Sequence, residues 1–102
     1  MKVAVSALRT MVLEGVVKLG YKDNEATIIT DVLLYAQLRG NNQGVTKIAS
    51  GGIPKSEDIE PYQVVKQHKA GALVSGGHAM VTTTNAARLA CTLAAEHGVG
   101  IV

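Results

Sequence analysis

Tyr62-Gln63-Val64-Val65-Lys66-Gln67-His68-Lys69-Ala70-Gly71-Ala72-Leu73-Val74-Ser75 is the stretch that decides the fold class. It holds two short runs, Tyr62 to Gln67 centred on Val64-Val65 and Ala72 to Ser75, separated by His68 to Gly71. Runs of strand length with four residues between them read as an antiparallel hairpin. Gly76-Gly77 breaks the second run. The other long periodic stretches carry the helical repeat, so this hairpin makes the chain α/β or α+β instead of all-helical.

On the C-terminal side, His78 to His97 reads as the longest helix. Ala86, Leu89, Ala90, Leu93, Ala94 and His97 line one face. Ala79, Ala87, Cys91 and Ala95 keep the rest slim enough to lie close against a sheet. Cys91 in this Ala-rich setting is expected to be an inert buried thiol. Gly98 is the expected helix stop, and His97 beside it suits the carbonyl end of the helix dipole. Val99-Gly100-Ile101-Val102 then opens an apolar run typical of a buried strand. Because the sequence ends inside that run, the expectation is a chain truncated within a strand.

On the N-terminal side lies an irregular region, residues 40 to 61, containing Gly40, Gly44, Gly51, Gly52, Pro54 and Pro61. Val45 to Ala49 suits one helical turn. Ser50-Gly51-Gly52 has neither Gly-x-Gly-x-x-Gly spacing nor a Gly-Lys-Ser/Thr ending, so no phosphate-loop motif is present. Before this region come two helices. The first is expected over about Ala7 to Leu19 behind Ser6 as N-cap, with Leu8, Met11, Val12, Gly15, Val16 and Leu19 on one face and Gly20 closing it. The second starts at Asp23 or Asn24 and stops at Gly40. Ile28, Ile29, Val32, Leu33, Ala36 and Gln37 form its apolar side, widened by Leu34 and Tyr35, so two partners should cover it. A connector of two to four residues makes the pair an antiparallel hairpin.

The junction Arg39-Gly40-Asn41-Asn42-Gln43-Gly44-Val45-Thr46-Lys47 packs two cations, three side-chain amides and two glycines into nine residues. Arg and Lys supply charge and Asn and Gln supply oriented donors, a composition for holding a carboxylate or similar small anion. A polar connection with Gly40 as its C-cap fits the same residues.

Composition narrows the function classes. Apolar residues make up 47% of the 102, enough for a modest globular core. Aromatics are only 3%, all Tyr, which removes base-stacking platforms for single-stranded nucleic acid. The net charge of +2 is scattered, with no basic stripe, so no nucleic-acid partner is expected. A single Cys excludes an internal disulfide. His68, His78 and His97 are too dispersed to suggest a metal site. No apolar stretch reaches the roughly 20 residues of a membrane span, and no signal peptide opens the chain, so no membrane partner and a cytoplasmic location are expected.

The order of a helix hairpin, Leu38-Arg39-Gly40, a polar loop with Gly44-Val45, a strand hairpin ending Leu73-Val74-Ser75-Gly76-Gly77, and a helix running into Glu96-His97-Gly98-Val99-Gly100-Ile101-Val102 resembles a known family. It is similar to the N-terminal part of the malate/L-lactate dehydrogenase family, which is distinct from the Rossmann enzymes and includes ureidoglycolate and sulfolactate dehydrogenases. The resemblance implies NAD- or NADP-dependent hydride transfer on a small 2-hydroxy or 2-oxo acid, in a homodimer. It also implies a single region 1–102 divided into a helical hairpin (1–40), a substrate-side loop (41–61) and a strand-strand-helix-strand part (62–102).

The family carries Ser-His-Gly after Leu-Arg-Gly, with an Arg three residues past the Gly. Here Asn42 matches the Ser, Gln43 the His, Gly44 the Gly and Lys47 the Arg. The implied substrate-binding residues are therefore Arg39, Asn42, Gln43 and Lys47. Lys47 keeps the charge but not the bidentate fork, and Gln43 cannot titrate near neutral pH. The family's acid/base histidine and most of its cofactor site would lie past Val102, so no catalytic residue is expected within these residues, and neither tight cofactor binding nor activity alone. A contrasting expectation, drawn from the wide apolar side of the second helix and the strand edge at 99–102, is a small homodimerising interaction module without catalytic activity.

Overall fold

The computed structural model describes residues 2–102. It is an α/β fold: helices α1 (Val5–Lys18), α2 (Asp23–Leu38) and α3 (Thr46–Ala49), a 3₁₀ turn (Ser56–Asp58), strands β1 (Gln63–Gln67) and β2 (Ala72–Ser75), and the long helix α4 (Ala79–His97). The packing divides into two compact units, Met1–Asp58 and Ile59–Val102.

In the first unit α1 packs on α2. Arg9, expected on the solvent side, is ion-paired with Asp31. Because Arg9 lies nine residues before the end of α1 and Asp31 eight after the start of α2, the pairing fixes the two helices as antiparallel. The core side chains include Val12, Val16, Tyr21, Ile29 and Leu33. α2 is buried over a broad arc, since Ile28 points about 200° away from Ala26 on the helical wheel and both are buried, while Thr27, Asp31, Tyr35 and Leu38 form an exposed stripe. Two-sided cover was expected there, but Tyr35 and Met11 are exposed.

The caps differ from expectation. α1 begins at Val5, not Ala7. Ala4 takes an extended conformation and its carbonyl already accepts the Leu8 N–H, so Ser6 lies inside the helix, where its carbonyl accepts the Thr10 hydroxyl. α2 likewise has no side-chain cap. Asp23 is its first residue, at a left-handed φ of 50° that Asp tolerates better than most, and the Lys22 carbonyl takes the N–H groups of Glu25 and Ala26. At the other end Gly40, at φ 74°, does what its position foretells. Its N–H donates to the Gln37 carbonyl at 3.1 Å and the Asn41 N–H reaches back to Ala36 at 3.0 Å, a Schellman closure.

Residues 50–58 are tied down. Ile53 is buried, the Tyr21 hydroxyl donates to the Pro54 carbonyl at 2.8 Å, and the Ser56 N–H donates to Leu19 at 2.9 Å.

In the second unit β1 and β2 pair antiparallel, Val64 opposite Val74 and Lys66 opposite Leu73, with a bulge at Val65 between them. α4 packs on β2. The strand expected from Val99 is reduced to a parallel bridge: Ile101 donates to the Ala70 carbonyl at 2.8 Å and accepts from the Ala72 N–H at 2.9 Å. Only Ile101 reaches the sheet, because Gly98 turns the chain at φ 88° and Gly100 presses against the Ala90 carbonyl, where a Cβ would collide. β2 thus lies between β1 and Ile101. Cys91, expected to be buried, is exposed. It sits two positions, about 200°, from the buried Leu93 on α4.

Candidate functional site

The polar junction between α2 and α3 is a tightly folded loop. Gly44 makes it so: a Cβ there would lie 2.8 Å from the Gln37 Oε1 and 2.9 Å from the Gln37 backbone nitrogen. Only a glycine lets the loop fold back onto the last turn of α2. Gln37 then stitches the two together, its Oε1 accepting the Val45 N–H at 3.3 Å. Sequence reasoning placed Gln37 on the apolar side of α2 and missed this role, which carries no motif.

Each expected binding residue has a defined place. Arg39 is the C-cap of α2, and its guanidinium lies over the ring of Tyr35, 3.5 Å from the centroid. The sequence does carry a signal for that contact, the i, i+4 spacing of Tyr35 and Arg39. Asn41 Oδ1 accepts the Gln43 N–H at 2.8 Å, turning the chain, and Asn42 Oδ1 accepts from Gln43 Nε2 at 3.4 Å. The Asn42 carbonyl accepts the Thr46 hydroxyl at 2.8 Å, anchoring the loop to α3. Asn42 and Gln43 are therefore together at the exposed tip. Lys47 stands in α3, its carbonyl taking the Gly52 N–H at 2.8 Å. Among the described residues, neither Arg39 nor Lys47 has an acidic partner. The loop thus offers two cations without an acidic partner and two neutral amides.

The histidines belong to the second unit. His78 is the N-cap of α4 and nearly buried, its Nδ1 accepting the Met80 N–H at 3.2 Å. His97 is in the last turn of α4, 3.6 Å from Glu96, and His68 opens the hairpin turn, where its N–H donates to Gly71 at 2.7 Å. Among the described residues no cluster of three or more His, Cys, Asp or Glu is placed to hold a metal, and no helix is long and apolar enough to cross a membrane.

A separate shallow depression of about 240 Å³ is lined by Lys18, Leu19, Gly20, Lys55, Ser56 and Glu57. It is below the roughly 300–1,000 Å³ of small-molecule pockets.

No protein-family model matches the chain, and neither does any curated protein. Among solved structures, the sulfolactate dehydrogenase of Methanocaldococcus jannaschii matches with a TM-score of 0.81 and 24% sequence identity, over 99% of this chain and 32% of that one. The chain spans about a third of the length of the solved structure it matches. At this identity the likeness shows the fold alone: the chain folds like that part of the solved structure.

Proposed function

We propose that the chain is a segment of an NAD(P)-dependent oxidoreductase acting on a small 2-hydroxy or 2-oxo acid of the malate or lactate type, with the loop Arg39–Lys47 at its substrate-binding edge. The observation that carries this reading is a loop built rigidly against α2 that presents uncompensated cations and paired amides, within a fold shared over 99% of the chain with a dehydrogenase. Arg39 or Lys47 holds the substrate carboxylate, and Asn42 and Gln43 orient the neighbouring hydroxyl or oxo oxygen. In this role the loop positions the substrate, and its amides Asn42 and Gln43 have no proton to give or take in the reaction. In this reading the cofactor is held mostly by the part of the longer protein that this chain does not span. When bound there, the cofactor supplies the hydride.

L-malate or sulfolactate at ten times its Kd should stabilise the wild-type chain by about 1.4 kcal/mol and raise its unfolding midpoint by about 6 °C. The Arg39→Ala/Lys47→Ala double variant should not respond. An equal rise in both proteins, or in wild type with chloride at matched ionic strength, would sink the loop assignment. NAD(P)H oxidation by the purified chain with 2-oxo acids should be undetectable, and robust turnover would contradict the reading.

A second reading, a homodimerising module, is favoured by one observation: β1 is exposed along its whole length, Val64 and Val65 included. Sedimentation at micromolar concentration separates the two. A folded, strictly monomeric species counts against the module.

A further inference from the structure

We infer that Tyr35 is a positioning residue that converts Arg39 into a preset clamp for a small carboxylate or sulfonate anion, an inference that rests on the substrate-edge reading above. Arg39 stands at the C-cap of α2, one turn beyond Tyr35. At 3.5 Å from the ring centroid its guanidinium is in van der Waals contact with the aromatic face. That contact uses the face of the cation, which carries no donor, and leaves the N–H groups at its rim free.

Three further features make the arrangement a clamp. No carboxylate among the described residues pairs with Arg39. The chain leaves it through Gly40 at φ 74° and the Schellman bonds, so its backbone is fixed. An unanchored Arg loses much rotamer freedom on gripping an anion, and the ring has already restricted it, so less is lost on binding.

Tyr35 is itself 59% exposed. It lies on the solvent-facing stripe of α2 with Thr27, Asp31 and Leu38, all exposed, so its ring contributes little to the core. What the ring does touch is the Arg39 guanidinium. Lys47 has no such ring, and its single ammonium lacks the planar fork. The structure therefore assigns orientation of the anion to Arg39 and only added charge to Lys47.

The test is titration of the whole chain with L-malate, followed through the Arg39 Nε–Hε resonance and the loop amides, for wild type, Tyr35→Phe, Tyr35→Leu and Arg39→Lys. Phe keeps the aromatic face, so Tyr35→Phe should retain the wild-type Kd and the ring-shifted Arg39 resonance. Tyr35→Leu should lose the ring shift and weaken binding about two- to fivefold, with an unchanged far-UV spectrum. Arg39→Lys should weaken it at least as much. Unchanged malate affinity in Tyr35→Leu, with wild type binding normally, would overturn this inference alone. Failure of wild type to bind malate, sulfolactate or lactate at all would overturn the substrate-edge reading and the inference with it.

Discussion

The two units of the chain solve the same problem with different success. In Met1–Asp58 a helix pair and a tethered loop close over Val12, Val16, Tyr21, Ile29, Leu33 and Ile53, all buried. In Ile59–Val102 the buried apolar side chains are Val81 and Leu93, while Val64, Val65, Leu73, Val99 and Ile101 remain exposed. A two-stranded hairpin alone is marginal and leans on packing against a helix, and here α4 packs on β2 while β1 stays exposed along its length. The first unit can hold a binding loop in fixed geometry from its own contacts. The second presents surface suited to being covered.

The sharpest way to break this contrast is in the first core. Leu33 is completely buried, and Leu33→Ala should cost about 2–5 kcal/mol, read as a fall in the denaturant midpoint. A loss under about 1 kcal/mol would mean that the first unit is not the stable one.

Gly44→Ala comes next. Its Cβ would meet the Gln37 backbone at 2.9 Å, so the loop must shift, at a cost of about 1–3 kcal/mol. Gly40→Ala would instead test φ alone, because nothing lies within 4 Å of a Cβ there.

Tyr21→Phe removes the bond to Pro54 and should cost about 1 kcal/mol. It also has a pH signature. Burial first, then the negative charges of Glu25 and Asp58, raise the Tyr21 phenol above its ordinary value of 10.0. The folded chain therefore holds this proton more tightly than the unfolded chain does. The associated stability is fully present below about pH 10 and is lost as pH rises through the folded-state value. Denaturation curves between pH 8 and 11 should show wild type and Tyr21→Phe converging at the alkaline end, and a gap that widens with pH would contradict the assignment.

The smallest effect belongs to the second unit. Leu73 is 60% exposed, and Leu73→Ala should change stability by less than about 0.5 kcal/mol. A large loss would show that this face is already covered in solution, as the homodimer reading requires.

How much of this was legible in the sequence follows the strength of the signals. The hairpin, the span of α4 and the stop at Gly40 were readable, because two strand-length runs around a four-residue break, a long helical repeat and a glycine at a helix end are strong local signals. The N-caps at Ser6 and Asp23 were not. A side-chain cap contributes only about 1 kcal/mol, and backbone carbonyls at Ala4 and Lys22 took the N–H groups instead. Cys91 was misplaced because an Ala-rich helix has no strong polar face to mark its exposed side. At the loop, composition pointed to cations and amides. It could not show that Gly44 is required by the backbone of Gln37, or that Tyr35 lies beneath Arg39, since both depend on where the chain returns in space.

The most direct test is a residue-by-residue map of amide shifts as L-malate is added to the whole chain. The account predicts perturbations concentrated between Gln37 and Ala49, largest at Arg39, Asn42, Gln43 and Lys47, with Gln63–Ser75 unaffected. Perturbations centred on the strand hairpin, or spread evenly over both units, would contradict it.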